Sequence, residues 1–210
     1  MVDAAQSAGA LKIDAEKFDL VAFPGHKGLL GPMGTGGLFV AEGVKIHPII
    51  EGGTGSVSES FEQPEFFPDI LESGTQNVPA IAGLGASVKF LLEEGVDTVR
   101  EYEDFLRCRF EEKLKNIKYI KTYGAENKTA ITAFNIEGED CVEVAQKLDD
   151  EFGIATRAGL HCAVLAHESL GTKETGCVRA SFGYFNTVKE VDYAADAIYK
   201  LSKKLQFCQN

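Results

Sequence analysis

Two adjacent side chains, His26 and Lys27, lie in the segment Pro24-Gly25-His26-Lys27-Gly28, directly after the apolar run Leu20-Val21-Ala22-Phe23. That places an amine at the end of a predicted strand, on a loop whose glycines let other groups approach closely. Strand ends are where open α/β sheets keep their sites, although a lysine in such a turn is also readily a solvated surface residue. Upstream, Asp3-Ala4-Ala5-Gln6-Ser7 follows a second strand-like stub, so that Asp3, Gln6 and Lys27 can converge at one sheet edge. A carboxylate, an amide and an amine together suit pyridoxal phosphate. The lysine forms the Schiff base, the aspartate keeps the pyridine nitrogen protonated so that the ring is an electron sink, and the amide hydrogen-bonds the ring hydroxyl.

The elements that must position these groups follow from the apolar pattern. Met1-Val2-Asp3 reads as the tail of a strand with nothing before it to pair, which suggests a truncated chain. The runs 20–23 and 37–40 are separated by GHKGLLGPMGTG, the pattern of strand, active loop and strand. A long loop region from about 46 to 76 carries EGGTGS and ESGTQN. From Pro79, residues Ile81, Leu84, Val88, Leu91 and Leu92 recur at helical spacing, and Gly95 offers a stop. A second helix is predicted over 96–117. The remainder reads strand 119–122, strand 130–136, helix 141–152, strand 155–157, strand 178–182 and helix 188–205, a small α+β domain behind a helical connector.

The chain has 210 residues, 44% hydrophobic and 25% charged, a globular composition rather than a disordered one. Its formal net charge of -11 argues against a general electrostatic grip on nucleic acid or anionic lipid. No apolar run approaches the ~20 residues of a membrane span, and the start lacks the basic and apolar regions of a signal peptide. The five cysteines, Cys108, Cys141, Cys162, Cys177 and Cys208, include no C-x-x-C pair, so neither a metal site nor a redox dithiol is expected, and a reducing cytoplasm fits best.

Five segments, VDAAQSAG, GHKGLLGPMGTGGLFV, ESGTQN, RAGLHCA and CVRASFGYFNT, run in one order across nearly the whole chain. In them the sequence resembles the class V aminotransferase superfamily of fold-type I pyridoxal-phosphate enzymes, and within it the cysteine desulfurases and selenocysteine lyases. The resemblance implies an α/β fold: residues 1–95 as the C-terminal portion of the cofactor-binding large domain with its connecting helix, and 96–210 as the small α+β C-terminal domain. It implies Lys27 as the lysine carrying the cofactor, Asp3 as the pyridinium partner, Gln6 as a contact to the cofactor hydroxyl and His26 as a neighbouring acid/base. Thr75, in Ser73-Gly74-Thr75, matches the threonine that reaches the cofactor phosphate of the opposite subunit, which implies a homodimer; a helix-cap role ahead of Pro79 is the alternative.

By the same resemblance Cys162 is the nucleophile that takes sulfur from L-cysteine or selenium from selenocysteine, with His161 and Arg157 favouring its thiolate. The other cysteines are read as inert. Arg179 matches the arginine that clamps the substrate α-carboxylate, a structural salt bridge being the alternative. The short interval between Cys162 and Arg179 resembles the branch whose members pass sulfur to an acceptor protein. Pro24 departs from the family, standing where many members place a hydroxyl that binds the cofactor phosphate. Family members are roughly twice as long, so the chain is expected to carry the second half of an active site, for which a separate N-terminal half is a candidate partner. Two other readings stand beside desulfuration: another class V aminotransferase or lyase in which Cys162 is a bystander, and an inactive remnant serving as an interaction module.

Overall fold

The computed structural model describes residues 1–124 and 129–208, with the side chains of 205–208, Cys208 included, outside the described set. The chain divides into two compact units, Met1–Asp97 and Thr98–Asn210.

The first unit holds a three-stranded sheet. β1 (Val2–Asp3) lies parallel to β2 (Leu20–Pro24), with Asp3 opposite Ala22, and β2 is antiparallel to β3 (Gly36–Val40), with Pro24 opposite Gly36. Pro24 closes the strand, and the next donor along the chain, the Gly25 N–H, bonds to the Thr35 carbonyl at 2.8 Å. Between β3 and the first helix the chain forms no α-helix or strand, as the loop-rich composition predicts. The two glycine-rich motifs in this stretch are bonded to each other: the Gly74 N–H donates to the Gly52 carbonyl at 3.0 Å and the Ser73 hydroxyl to the Ile50 carbonyl at 2.5 Å. Helix α1 (Val78–Glu94) begins with proline in its first turn, where a missing N–H is harmless, and stops at Gly95. Its cap is Asn77, whose side chain accepts from the Ala80 N–H, so Thr75 does not cap this helix.

The second unit is formed by most of α2 (Val96–Lys115), then β4 (Ile120–Tyr123), β5 (Ile131–Ile136), α3 (Cys141–Phe152), β6 (Arg157–Gly159), α4 (Val164–Leu170), β7 (Cys177–Ser181) and α5 (Val188–Cys208). The strands make one antiparallel sheet in the order β4-β5-β7-β6. β5 alternates, burying Thr132, Phe134 and Ile136, and α3 buries Cys141, Val144 and Leu148 along one stripe. Asp140 caps α3 by accepting from the Val142 and Glu143 N–H groups, and Gly153 ends it in the left-handed conformation that glycine adopts without strain.

Two local expectations are corrected. The strand predicted at 155–157 lies at 157–159, because its position is set by pairing with β7 rather than by its own apolar content. α4 was not predicted: it has seven residues, and Ala163 before it supplies no side-chain cap, so the sequence carries no start signal.

Candidate active site

In the first unit, Asp3 ends β1 and the loop bearing His26 and Lys27 leaves the same edge of parallel β2. The loops that follow the two strands are pressed together backbone to backbone. A Cβ on Gly9, at φ +82°, would come within 2.2 Å of the Gly28 carbonyl oxygen, an overlap that backbone cannot relieve. The segment holding Gln6 and the segment holding Lys27 are thus fixed against each other by the absence of side chains. Asp3 accepts the Ala5 N–H through Oδ1 at 2.8 Å, which orients the carboxylate and leaves its second oxygen open. Gln6, His26 and Lys27 are exposed, and the lysine loop closes on itself, with the Leu30 N–H donating to the Lys27 carbonyl and the Gly31 N–H to that of Gly25.

This donor set fits pyridoxal phosphate at its ring and aldehyde: an acceptor for a protonated ring nitrogen, an amide for the hydroxyl and an amine for the carbonyl carbon. The phosphate end fits less well. Pro24 has no N–H, and that of Gly25 is engaged by the Thr35 carbonyl at 2.8 Å, so this stretch offers the phosphate little. Thr75 is exposed beside the bonded pair Gly52 and Gly74.

In the second unit, Cys162 is exposed at the tip of the turn between β6 and α4. Both His161 and Cys162 have left-handed backbone, φ +53° and +59°, a conformation uncommon for residues with a Cβ and concentrated at functional sites. The tip is anchored from behind: the His161 ring, through Nε2–H, donates to the Arg157 carbonyl at 2.9 Å, and its Nδ1 lies 3.9 Å from the Cys177 sulfur. Burial, helped by Arg179, His167 and Arg157, lowers the His161 pKa despite the hydrogen bond to Arg157. That shift disfavours the charged imidazole, so His161 is a weaker source of positive charge for a Cys162 thiolate than an unburied histidine. Burial likewise pushes the Cys177 thiol up to about 11, consistent with its inert reading.

Arg179 lies on β7 directly opposite Arg157 on β6. Like charges in that register repel, and neither arginine has a carboxylate partner among the described residues. The Arg179 Nε is also buried with nothing to donate to, a group that costs free energy until something accepts from it. Among the described residues no salt bridge explains Arg179, and an acceptor arriving from outside would satisfy it. Neither the inward turn of His161 nor the opposition of the arginines was legible in the sequence, since both depend on β6 starting at Arg157.

Residues 1–194 match the aminotransferase class-V family. The chain is 37% identical to a probable cysteine desulfurase of Methanothermobacter thermautotrophicus, over 96% of its own length and 52% of the relative's. It is 32% identical to a cysteine desulfurase of Escherichia coli O157:H7, over 98% of its length and 51% of the relative's. Among solved structures it superposes on the apo cysteine desulfurase of Thermococcus onnurineus with a TM-score of 0.86 at 34% identity, covering 97% of this chain and 52% of that one. It superposes on an Escherichia coli cysteine desulfurase in its S-sulfonic acid form with a TM-score of 0.85 at 30% identity, again over about half of that chain. The chain spans about half the length of the relatives it matches.

Proposed function

The chain belongs to the class-V aminotransferase family, and from that premise we propose that it supplies the lysine- and cysteine-bearing portion of a cysteine desulfurase site. The first unit is read as part of the cofactor-binding large domain and the second as the small C-terminal domain. Lys27 and Asp3 would hold pyridoxal phosphate at its carbonyl carbon and ring nitrogen, with Gln6 on the hydroxyl. When bound, the group supplies an electron sink that weakens bonds around the substrate α-carbon.

The chain's own residues do the rest. Arg179 receives the α-carboxylate of L-cysteine and fixes its orientation through parallel N–H donors. Lys27 or His26 moves the α-proton. The Cys162 thiolate attacks the substrate sulfur; a sulfur–sulfur bond forms, the carbon–sulfur bond breaks, and the carbon takes up a proton to leave alanine and a Cys162 persulfide. The unpaired, buried Nε of Arg179 is the observation that carries this reading, because it needs an acceptor that the described residues do not provide, and a substrate carboxylate can be one. The exposure of Cys162 suits sulfur delivery to an acceptor protein, and the exposure of Thr75 suits a homodimer in which it meets the partner's cofactor phosphate. A persulfide-forming thiol also suits the reducing cytoplasm. No helix among the described residues is long and apolar enough to cross a membrane.

The test is to add pyridoxal phosphate to the purified chain, reduce with borohydride and locate the adduct by mass spectrometry, then repeat with L-cysteine in place of borohydride and search for persulfide. One stoichiometric adduct on Lys27, lost in Lys27→Ala, and a persulfide confined to Cys162, lost in Cys162→Ala, are expected. Label scattered over surface lysines would refute an autonomous cofactor site, and turnover surviving Cys162→Ala would refute the desulfurase assignment.

A further inference from the structure

Behind the Cys162 tip, three side chains from separate stretches of the second unit meet: His161, His167 of α4 and Cys177 of β7. Each offers one ligand atom, and the three atoms lie within 4.8 Å of one another. We propose that this trio is a binding site for a zinc ion, in addition to the chemistry proposed above and independent of it.

The orientation of both rings favours this. His161 Nε2–H is committed to the Arg157 carbonyl, which can only accept, so in the neutral ring Nδ1 carries the lone pair, and it faces Cys177 at 3.9 Å. His167 Nδ1 is bonded to the Thr172 hydroxyl at 2.8 Å, leaving Nε2 free. A second-shell acceptor on the far nitrogen fixes tautomer and ring direction in histidines that bind metals; the Arg157 carbonyl is such an acceptor for His161, and the Thr172 hydroxyl becomes one for His167 when it accepts from Nδ1–H. His167 and Thr172 are nearly fully buried, at 4% and 2% exposure, so α4 holds its ligand rigidly. The two imidazoles lie with centroids 5.6 Å apart and their planes inclined by only 33°.

The spacing is close to what zinc needs. With Zn–N of ~2.0–2.1 Å and Zn–S of ~2.3 Å, tetrahedral ligand atoms stand roughly 3.3–3.6 Å apart, so the observed atoms need to close by at most about 1.5 Å. Binding exchanges the Cys177 thiol proton for a metal–sulfur bond, and the proton leaves to solvent. Arg157 and Arg179 are close enough to act on the His161 ring electrostatically, which disfavours a hard cation held by neutral ligands. Thiolate and imidazole donors select a soft or borderline ion such as zinc over magnesium or calcium, and the thiolate cancels one of its charges. Three protein ligands leave a fourth position open. Because His161 immediately precedes Cys162, an occupied site would also pin the tip that presents the exposed thiol.

The experiment uses the whole 210-residue chain, purified with chelator and then dialysed. Zinc affinity is measured by competition with a chromophoric chelator, and cobalt(II) substitution reports sulfur ligation through its near-ultraviolet charge-transfer absorption. One zinc per chain is expected, with affinity reduced at least about 100-fold in Cys177→Ser and about 10–100-fold or more in His161→Gln, while Cys162→Ser keeps the cobalt–sulfur absorption. If Cys177→Ser fails to fold by circular dichroism, His161→Gln, at the partly exposed tip, decides. The proposal is overturned if no stoichiometric zinc binds, if folded His161→Gln binds as the parent does, or if the cobalt–sulfur absorption follows Cys162 instead.

Discussion

The two compact units hold their functional groups by opposite means. In Met1–Asp97 the buried apolar side chains are Ala4, Val21 and Leu91, whereas Ile49, Ile50, Phe61, Phe66 and Phe67 stand exposed. There the loops of Lys27 and Gln6 are set largely by backbone, through strand register, turn hydrogen bonds and the Gly9–Gly28 contact, with the Leu84 side chain packed against Gly25 and Gly31. In Thr98–Asn210, by contrast, a continuous core including Leu106, Phe110, Phe134, Leu148, Val178 and Ile198 backs the sheet that carries Arg179. A site built on a packed core fails when the domain unfolds, and one built on backbone contacts fails locally, leaving the rest folded.

The largest expected effect tests that difference directly. Phe134 is fully buried and meets Phe110 edge-on at 6.2 Å, so Phe134→Ala should cost about 3–5 kcal/mol. Met33, 83% exposed in the first unit, should change stability by less than about 0.5 kcal/mol when replaced by Ser. Denaturant melts followed by far-ultraviolet circular dichroism compare the two; similar midpoints would erase the contrast.

A smaller, local effect is expected at Gly9. Alanine there takes on a positive φ, costing roughly 1–3 kcal/mol, and collides with the Gly28 carbonyl besides. The two loops must part. Hydrogen exchange should accelerate at Ala4–Leu11 and Lys27–Gly31 while amides of β5 and β7 stay as protected as in the parent. Uniform loss of protection would mean that the units are one cooperative structure.

How far the molecule can be read from its sequence divides along the same line. The alternation in β5, the Asp140 and Gly153 boundaries of α3 and the proline start of α1 are local signals, and the elements form where those signals stand. The pairing that puts the end of β1, with Asp3, beside the end of β2, which leads into the Lys27 loop, was also legible, because two successive strand ends suffice to produce it. What escaped depends on pairing between distant segments. The start of β6 is fixed by β7, and that register alone puts Arg157 opposite Arg179 and sends the His161 ring inward toward Cys177. The alternative reading of Thr75 as a cap fails because Asn77, two residues on, holds that place, its side chain accepting from the Ala80 N–H.

The smallest effect concerns charge and belongs to the second unit alone. Arg109 of α2 grips Asp192 of α5 with two parallel hydrogen bonds of 2.7 and 2.8 Å, and Lys113 adds a contact at 3.3 Å. The Arg109 bonds, more than Lys113, bring the Asp192 carboxyl from 3.8 down to about 2. A carboxyl whose pKa is depressed by folding contributes stability that is complete above its unfolded value and is lost as pH falls through its folded value. The contribution should therefore be whole above pH 4 and fade toward pH 2. Ion pairs of the first unit, Lys17–Asp14 and Lys89–Glu93, lie within single exposed turns and tie no distant elements together. Asp192→Asn removes the titrating group, so its denaturation midpoint should lie below the parent's at pH 6 and meet it near pH 2. A gap that persists unchanged to pH 2 would mean that the asparagine acts through packing, and that the α2–α5 contact owes nothing to ionisation.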